Sequence, residues 1–154
     1  MENTLAQIGT IQSFGMAAGP LNPDLMIPMI AARDIGTAAA QTLLELNFSQ
    51  QQERELLGER DINMTEATTI IGEAIGKSDL KYSQVPNEIV RAALIQVGMS
   101  PNIADLILEM ASALNSDHVK PLENRSAANT TPTSFESFVQ DEFVPRFRGR
   151  TTSA

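Results

Sequence analysis

Few side chains in this 154-residue sequence could carry chemistry, and their spacing limits what they can do. His118 is the only histidine, and an imidazole is the group best suited to proton transfer near neutral pH. It stands beside Asp117 and Lys120 where a helix is expected to end, with no serine or carboxylate at a spacing diagnostic of a nucleophilic pair. It reads as a surface histidine of a last helical turn. Tyr82, the only tyrosine, follows Lys81 on an expected strand. Successive strand residues face opposite ways, so these two cannot share proton transfer and cofactor anchoring as a tyrosine and a lysine one helical turn apart can. Tyr82 is therefore expected to pack. The carboxylate pairs Glu53/Glu55 and Asp141/Glu142 read as solvated charge, and Arg146, Arg148 and Arg150 as a basic cluster in a terminal tail. There is no cysteine, which excludes a disulfide, a thiolate zinc site and a cysteine nucleophile. One histidine and scattered carboxylates do not make a metal site, so none is expected, and no residue is assigned a catalytic or cofactor-binding role.

A dinucleotide pyrophosphate needs a strand, a tight Gly-rich turn and a helix N-terminus with free N–H groups. Gly9, Gly15 and Gly19 are spaced too widely for that turn, and FGMAAG runs into Pro20 and Pro23 instead of a helix. A lysine-bearing phosphate loop is absent as well. Nineteen acidic against eleven basic residues give a formal charge of -8, which repels polyanions and argues against nucleic acid or anionic lipid as partner. No apolar run approaches the roughly 20 residues of a membrane helix, and no secretory leader opens the sequence; the cytoplasm is the default location.

The elements that must position these groups can be read from periodicity. IPMIAA, within residues 24–32, is short, continuous and apolar, as a buried strand should be. A helix is expected from Asp34, capped by that carboxylate, with Ile35, Ala38, Ala39, Thr42, Leu43 and Leu46 on its inward face. QQQE is a connector, and ELLG a brief strand ended by Gly58. Asn63 with Glu66 three residues on makes a capping box for a helix that Gly76 stops. Leu80, Tyr82 and Gln84 alternate as a short strand. Pro86 then opens a helix to Val97 with Ile89, Val90, Ala93, Leu94 and Val97 inward. Ser100-Pro101 starts the next, with Ile103, Leu106, Ile107, Met110 and Leu114 on one stripe, so the two should form an αα-hairpin. Residues 116–133 read as a surface loop, and Thr133 as the cap of a last helix that turns Phe135, Phe138, Val139 and Phe143 inward.

Several strings in order, namely MEN at the start, GP followed by MIPMIAARDIG, ELLGERDINMTEATTIIGEAIG, LKYSQVP and ENRSAANTTPTSFESF, resemble the C-terminal half of the NmrA-like family, an atypical short-chain dehydrogenase/reductase group that binds NAD(P). The resemblance covers about residues 1–147. It implies an α/β fold: the C-terminal part of a Rossmann-like NAD(P)-binding fold with a small, mostly helical substrate-side lobe. The corresponding division is residues 1–60 as the remnant of the nucleotide-binding domain, 61–147 as the helical lobe and 148–154 as a flexible tail. In the family, a stretch like Met1-Glu2-Asn3 lies inside the protein, so the sequence is expected to be truncated, with the Gly-rich loop upstream. The resemblance sets residues 14–28 near the nicotinamide side of the cleft, residues 28–34 beside it, and the helix pair of residues 86–114 in a lid-like substrate region.

The expectation that follows is a portion of an NAD(P)-dependent oxidoreductase acting on an unidentified small acceptor. NAD(P) would serve the full-length parent and would not bind tightly to the isolated chain, which would be inactive. The alternatives are a non-enzymatic NAD(P)-linked regulatory or protein-interaction module, and a stand-alone adaptor that covers its bared strand edges and Ala-rich helix by self-association.

Overall fold

The structure, a computed structural model, describes residues 1–46, 49–51 and 53–149. A 3-10 turn over Glu2–Ala6 runs into α1 (Gln7–Phe14), which Gly15 ends in the left-handed region at φ 70°. Next comes β1 (Ala17–Gly19), which pairs in parallel with β2 (Tyr82–Gln84), Ala17 opposite Tyr82 and Gly19 opposite Gln84. A parallel pair requires a long crossover. Here that crossover carries α2 (Ala32–Glu45) and α3 (Met64–Ile75). Beyond β2 come α4 (Asn87–Gln96) and α5 (Pro101–Asn115), then a loop, α6 (Phe135–Phe138), one π-helical turn over Val139–Phe143, and α7 (Val144–Phe147).

The core joins distant parts of the sequence. Ile11 of α1, Ala17 of β1, Ile62, Ala67 and Ile71 at α3, and Phe135, Phe138, Val139, Phe143 and Val144 near the C-terminus form one cluster. The apolar residues expected inward from 135 to 143 are all buried there. α3 earns its place by its ends as well as its face: the Asn63 side chain accepts from the Glu66 N–H at 2.8 Å, and Gly76 closes the helix at φ 77°. Gly58 is required by a close approach. A Cβ there would lie 1.8 Å from the Met29 carbonyl oxygen, so the chain at residues 28–30 can cross it only because no side chain intervenes.

Several expectations need correction. Residues 25–31 form no strand beyond one antiparallel bridge, Ile27 to Ile62, with Asp24 in a turn and Ala32 already in α2, and ELLG contributes one parallel bridge, Leu57 to Thr130. The true partner of β2 is Ala17–Gly19, a segment too short and Gly-rich to show a strand period. α2 starts at Ala32 with Ala31 as a cap that has no side-chain bond. Asp34 is buried in its first turn and accepts from Thr133, N–H at 3.0 Å and hydroxyl at 2.7 Å. Thr133 is thereby occupied, and Ser134 caps α6 in its place, accepting from the Ser137 N–H. Pro86 is the cap residue of α4, one position before the helix.

The inward faces of α2 and α5 are also different from expectation. Ile35, Leu43 and Leu46 are exposed, as are Ile103, Leu106 and Met110, while Ala104, Leu108 and Ala111 take the buried arc of α5. An apolar stripe marks the face a helix could bury, but burial needs a neighbour on that side. The expected αα-hairpin does form: α4 and α5 pack side by side, tied by Arg91 to Asp105 at 2.6 Å. No helix among the described residues is long and apolar enough to cross a membrane.

Candidate functional site: a cleft at the strand ends

In open α/β sheets ligands bind beyond the carboxyl ends of the strands. β1 and β2 end side by side at Gly19 and Gln84, and beyond them lies a cleft of about 410 Å³ lined by Pro20, Gln84, Val85, Pro86, Asn87, Ser112 and Asn115. The floor is the loop that leaves β1, and its backbone is held at four successive residues. The Gly19 carbonyl accepts from the Val85 N–H at 2.9 Å. The Pro20 carbonyl accepts from the Asn115 carboxamide at 2.9 Å and the Gln84 carboxamide at 3.2 Å. The Tyr82 hydroxyl donates to the Leu21 carbonyl at 3.1 Å, and the Asn22 N–H donates to the Asn115 carboxamide oxygen at 2.8 Å. Asn87 and Ser112, by contrast, make no side-chain hydrogen bond among the described residues, so their polar groups can serve a ligand.

Tyr82 packs, as its strand position implied, but it also ties the loop. Burial pushes its phenol up to about 12, so near neutral pH it is a neutral donor and not a base. Lys81 is exposed, away from the half-buried Tyr82. His118 sits exposed three residues past the end of α5, not in its last turn, its backbone N–H on the Ala113 carbonyl and its Nδ1 2.9 Å from the Ser116 hydroxyl.

The acidic pairs are more occupied than expected. Glu55 accepts from the Leu122 and Glu123 N–H groups at 3.0 and 2.8 Å and so holds the long loop, where solvated charge was expected. Asp141 lies 3.6 Å from Arg33, and Glu142 bonds Arg146. That pairing takes Arg146 out of the expected basic cluster; Arg148 is exposed, and Arg150 with residues 151–154 of the expected tail lies outside the described residues. The connector expected at QQQE likewise includes Gln52, outside them. Among the described residues no group of three or more His, Asp or Glu is disposed to hold a metal ion.

A second cleft, of about 370 Å³, lies on the other side of the α5 C-terminus between residues 25–28 and 55–57. Its walls are mainly apolar, with Leu25, Met26, Ile27, Leu57, Leu114 and Val119. The lysine at its rim, Lys120, is paired with Asp117 at 3.2 Å.

The described residues do not fit a dinucleotide pyrophosphate. Gly9 lies inside α1, Gly15 ends that helix, and a Cβ on Gly19 would meet the Tyr82 hydroxyl oxygen at 2.9 Å. The missing side chain at Gly19 makes room for a phenol and not for a phosphate. What sequence reasoning missed was Asn115 and Asn22: an asparagine at a helix end looks like a fraying signal, and only the fold brings the two together across 93 residues.

Comparison with known proteins agrees with this architecture. Among curated proteins none matches the chain. Solved structures that share the fold include two reductases. The NADPH-dependent quinone oxidoreductase of Escherichia coli, solved with NADPH, is 22% identical with a TM-score of 0.69 over 92% of this chain and 50% of its own. The triphenylmethane reductase of Citrobacter sp., solved with NADP(H), is 15% identical with a TM-score of 0.54 over 97% of this chain and 48% of its own. The chain thus spans about half the length of these relatives, and its α/β fold is that of Rossmann-like reductases. The sequence profile of the NmrA-like family matches residues 2–139, and the chain belongs to that family.

Proposed function

We propose that these residues form the substrate-side part of an NAD(P)-dependent oxidoreductase that reduces a small, uncharged acceptor. The observation that carries the reading is the cleft beyond β1 and β2, whose lining offers carboxamides and a hydroxyl and no charged side chain. Family membership and two reductases of the same fold, solved with NADPH and NADP(H), support it. Asn87 and Ser112 donate to the acceptor's oxygen, while Gln84 and Asn115 stay committed to the loop that forms the floor. A neutral carbonyl is satisfied by such donors, whereas a buried carboxylate or phosphate would need a counter-charge that the lining lacks. A quinone-like or other carbonyl acceptor is therefore favoured. Residues 1–60 then complete the nucleotide-binding sheet together with β2, and the helices of residues 61–147 form the substrate lobe. Hydride chemistry belongs to the cofactor; the 154-residue chain alone, lacking a pyrophosphate turn, binds NADPH weakly and turns nothing over.

Calorimetric titration of the purified chain tests both statements. NADPH should give no saturating one-to-one isotherm, and micromolar binding would overturn the claim about the chain alone. A neutral quinone should bind more tightly than a carboxylate of similar size and lose affinity in Asn87→Ala; preference for the anion would overturn the acceptor class.

A second reading, a non-enzymatic NAD(P)-linked regulatory or protein-interaction module, draws on the exposed Ile103, Leu106 and Met110 of α5. Sedimentation velocity that found concentration-dependent self-association, abolished by Leu106→Ser, would favour it.

A further inference from the structure

The helical hairpin meets the rest of the molecule through very little polar chemistry. Among the described residues, the hydrogen bonds that join residues 87–115 to sequence-distant chain are two, and both belong to the Asn115 side chain: its carboxamide donates to the Pro20 carbonyl at 2.9 Å, and its oxygen accepts from the Asn22 N–H at 2.8 Å. The hairpin's other ties are its own caps, the Arg91–Asp105 pair inside it, and apolar packing in which α4 buries no residue fully. Both of its attachment points, Val85–Pro86 and Asn115, line the cleft.

We infer that Asn115 is a latch: a positioning residue that holds the α4–α5 hairpin against the loop leaving β1 and so sets the width of the cleft at the strand ends. An asparagine suits this task because the two backbone groups it meets are of opposite kind. Pro20 offers only a carbonyl and needs a donor; Asn22 offers an N–H and needs an acceptor; a carboxamide carries one of each at fixed spacing. With the latch made, the Asn115 end of α5 lies against the floor on which Asn87 and Ser112 look across. With it broken, no hydrogen bond among the described residues joins residues 87–115 to sequence-distant chain, and apolar packing alone restrains the hairpin. A ligand seated between Asn87, Ser112 and the floor would couple to the latch, because its own hydrogen bonds favour the closed spacing. This consequence for acceptor binding rests on the function proposed above, whereas the latch itself does not.

The absence of native cysteine allows a clean distance measurement in the full chain. Spin labels on Asn102→Cys, at the far end of the hairpin, and Ser13→Cys, on the exposed side of α1, report the hairpin's position by pulsed electron paramagnetic resonance. The parent should give one narrow distance. Loss of both bonds in Asn115→Ala should raise the open-to-closed ratio roughly five- to a hundredfold and add a second population. Asn115→Asp is the discriminating variant, since it keeps the size and the acceptor but sets a carboxylate oxygen against the Pro20 carbonyl. A latch predicts that Asp opens the hairpin at least as much as Ala. If Asp behaves as the parent, Asn115 merely fills space and the inference fails; it fails too if both variants keep the narrow distance. Should Asn115→Ala not fold, the near-isosteric Asp variant alone decides. None of these readings requires that the chain bind an acceptor, so a negative titration overturns the proposed function and leaves the latch standing.

Discussion

α3 and α5 are built from the same instructions, and they end in different places. Each starts with a polar side chain that accepts from an N–H three residues on, Asn63 for one and Ser100 for the other, and each carries an apolar stripe. α3 buries Met64, Ala67, Thr68, Ile71 and Gly72, and its Ala67 and Ile71 share one cluster with Phe135, Phe138 and Phe143. α5 buries Ala104, Leu108 and Ala111 and leaves Ile103, Leu106 and Met110 half in water. The difference lies in what each helix meets. Five aromatic and β-branched side chains of the C-terminal segment share the cluster with α3, whereas the chief neighbour of α5 is α4, itself without a fully buried residue.

The contrast predicts its own largest effect. Phe138 is 1% exposed and touches the centre of the cluster, so Phe138→Ala should cost about 3–5 kcal/mol, enough to unfold a marginal domain. Leu106→Ser in the hairpin should change stability by less than about 0.5 kcal/mol. Chemical denaturation of the two variants is the measurement. A cost for Leu106→Ser near that of Phe138→Ala would mean that the exposed stripe is covered in solution.

What the sequence made legible follows the same line. Helix ends are local chemistry, so the Asn63 and Ser100 caps and the Gly76 stop could be read from neighbouring residues alone. Which face is covered is not local. Periodicity found the stripes of α2 and α5 but could not say that, among the described residues, no element covers them. Asp34 shows the limit most clearly. A carboxylate in a first turn has a ready local explanation as a cap, yet its partner is Thr133, 99 residues away. The cleft was hidden for the same reason: Asn115, Gln84 and the loop after β1 have no signature until a parallel pair of three-residue strands brings them together.

Asp34 supplies the next effect in size, and it lies at the seam between α2 and the core. Asp34→Ala would leave the buried Thr133 N–H and hydroxyl without their acceptor, at a cost of about 2 kcal/mol. Asp34→Asn, which can still accept one of the two bonds, should recover part of that. Equal losses in the two variants, by thermal melts at neutral pH, would show that charge and not the hydrogen-bond pattern is what Thr133 requires.

Arg60 ties the start of α3 to α6 with bonds of 2.7 Å to both Glu66 and Glu136. Partial burial by itself would raise the Glu136 carboxyl, but its backbone hydrogen bond and the Arg60 guanidinium outweigh that and hold it below its ordinary value. A depressed folded-state value means stability that is present above the unfolded carboxylate range near 4.5 and lost as pH falls through the folded value. The parent should therefore lose Tm more steeply than Arg60→Gln on acidification below that range. The difference should shrink in high salt, because half of the Glu136 side chain is in water. Parallel melts that do not converge in acid would remove the pair from the account of the core.

The smallest effect is expected where the hairpin resembles the core most closely on paper. Arg91 grips Asp105 through two nitrogens at 2.6 and 3.2 Å, and the contact lowers the Asp105 carboxyl below its ordinary value. Bond length alone would rank this pair with those of Arg60. Solvent reverses the ranking: both partners stand in water, their attraction is screened, and two long side chains lose freedom when they meet. Asp105→Asn should leave Tm unchanged within measurement and should not alter the Asn102-to-Ser13 label distance. If it instead widens that distance as Asn115→Ala is expected to, then a surface ion pair within the hairpin sets its position on the body. The division between a core held by packing and a hairpin held by one carboxamide would then have to be redrawn.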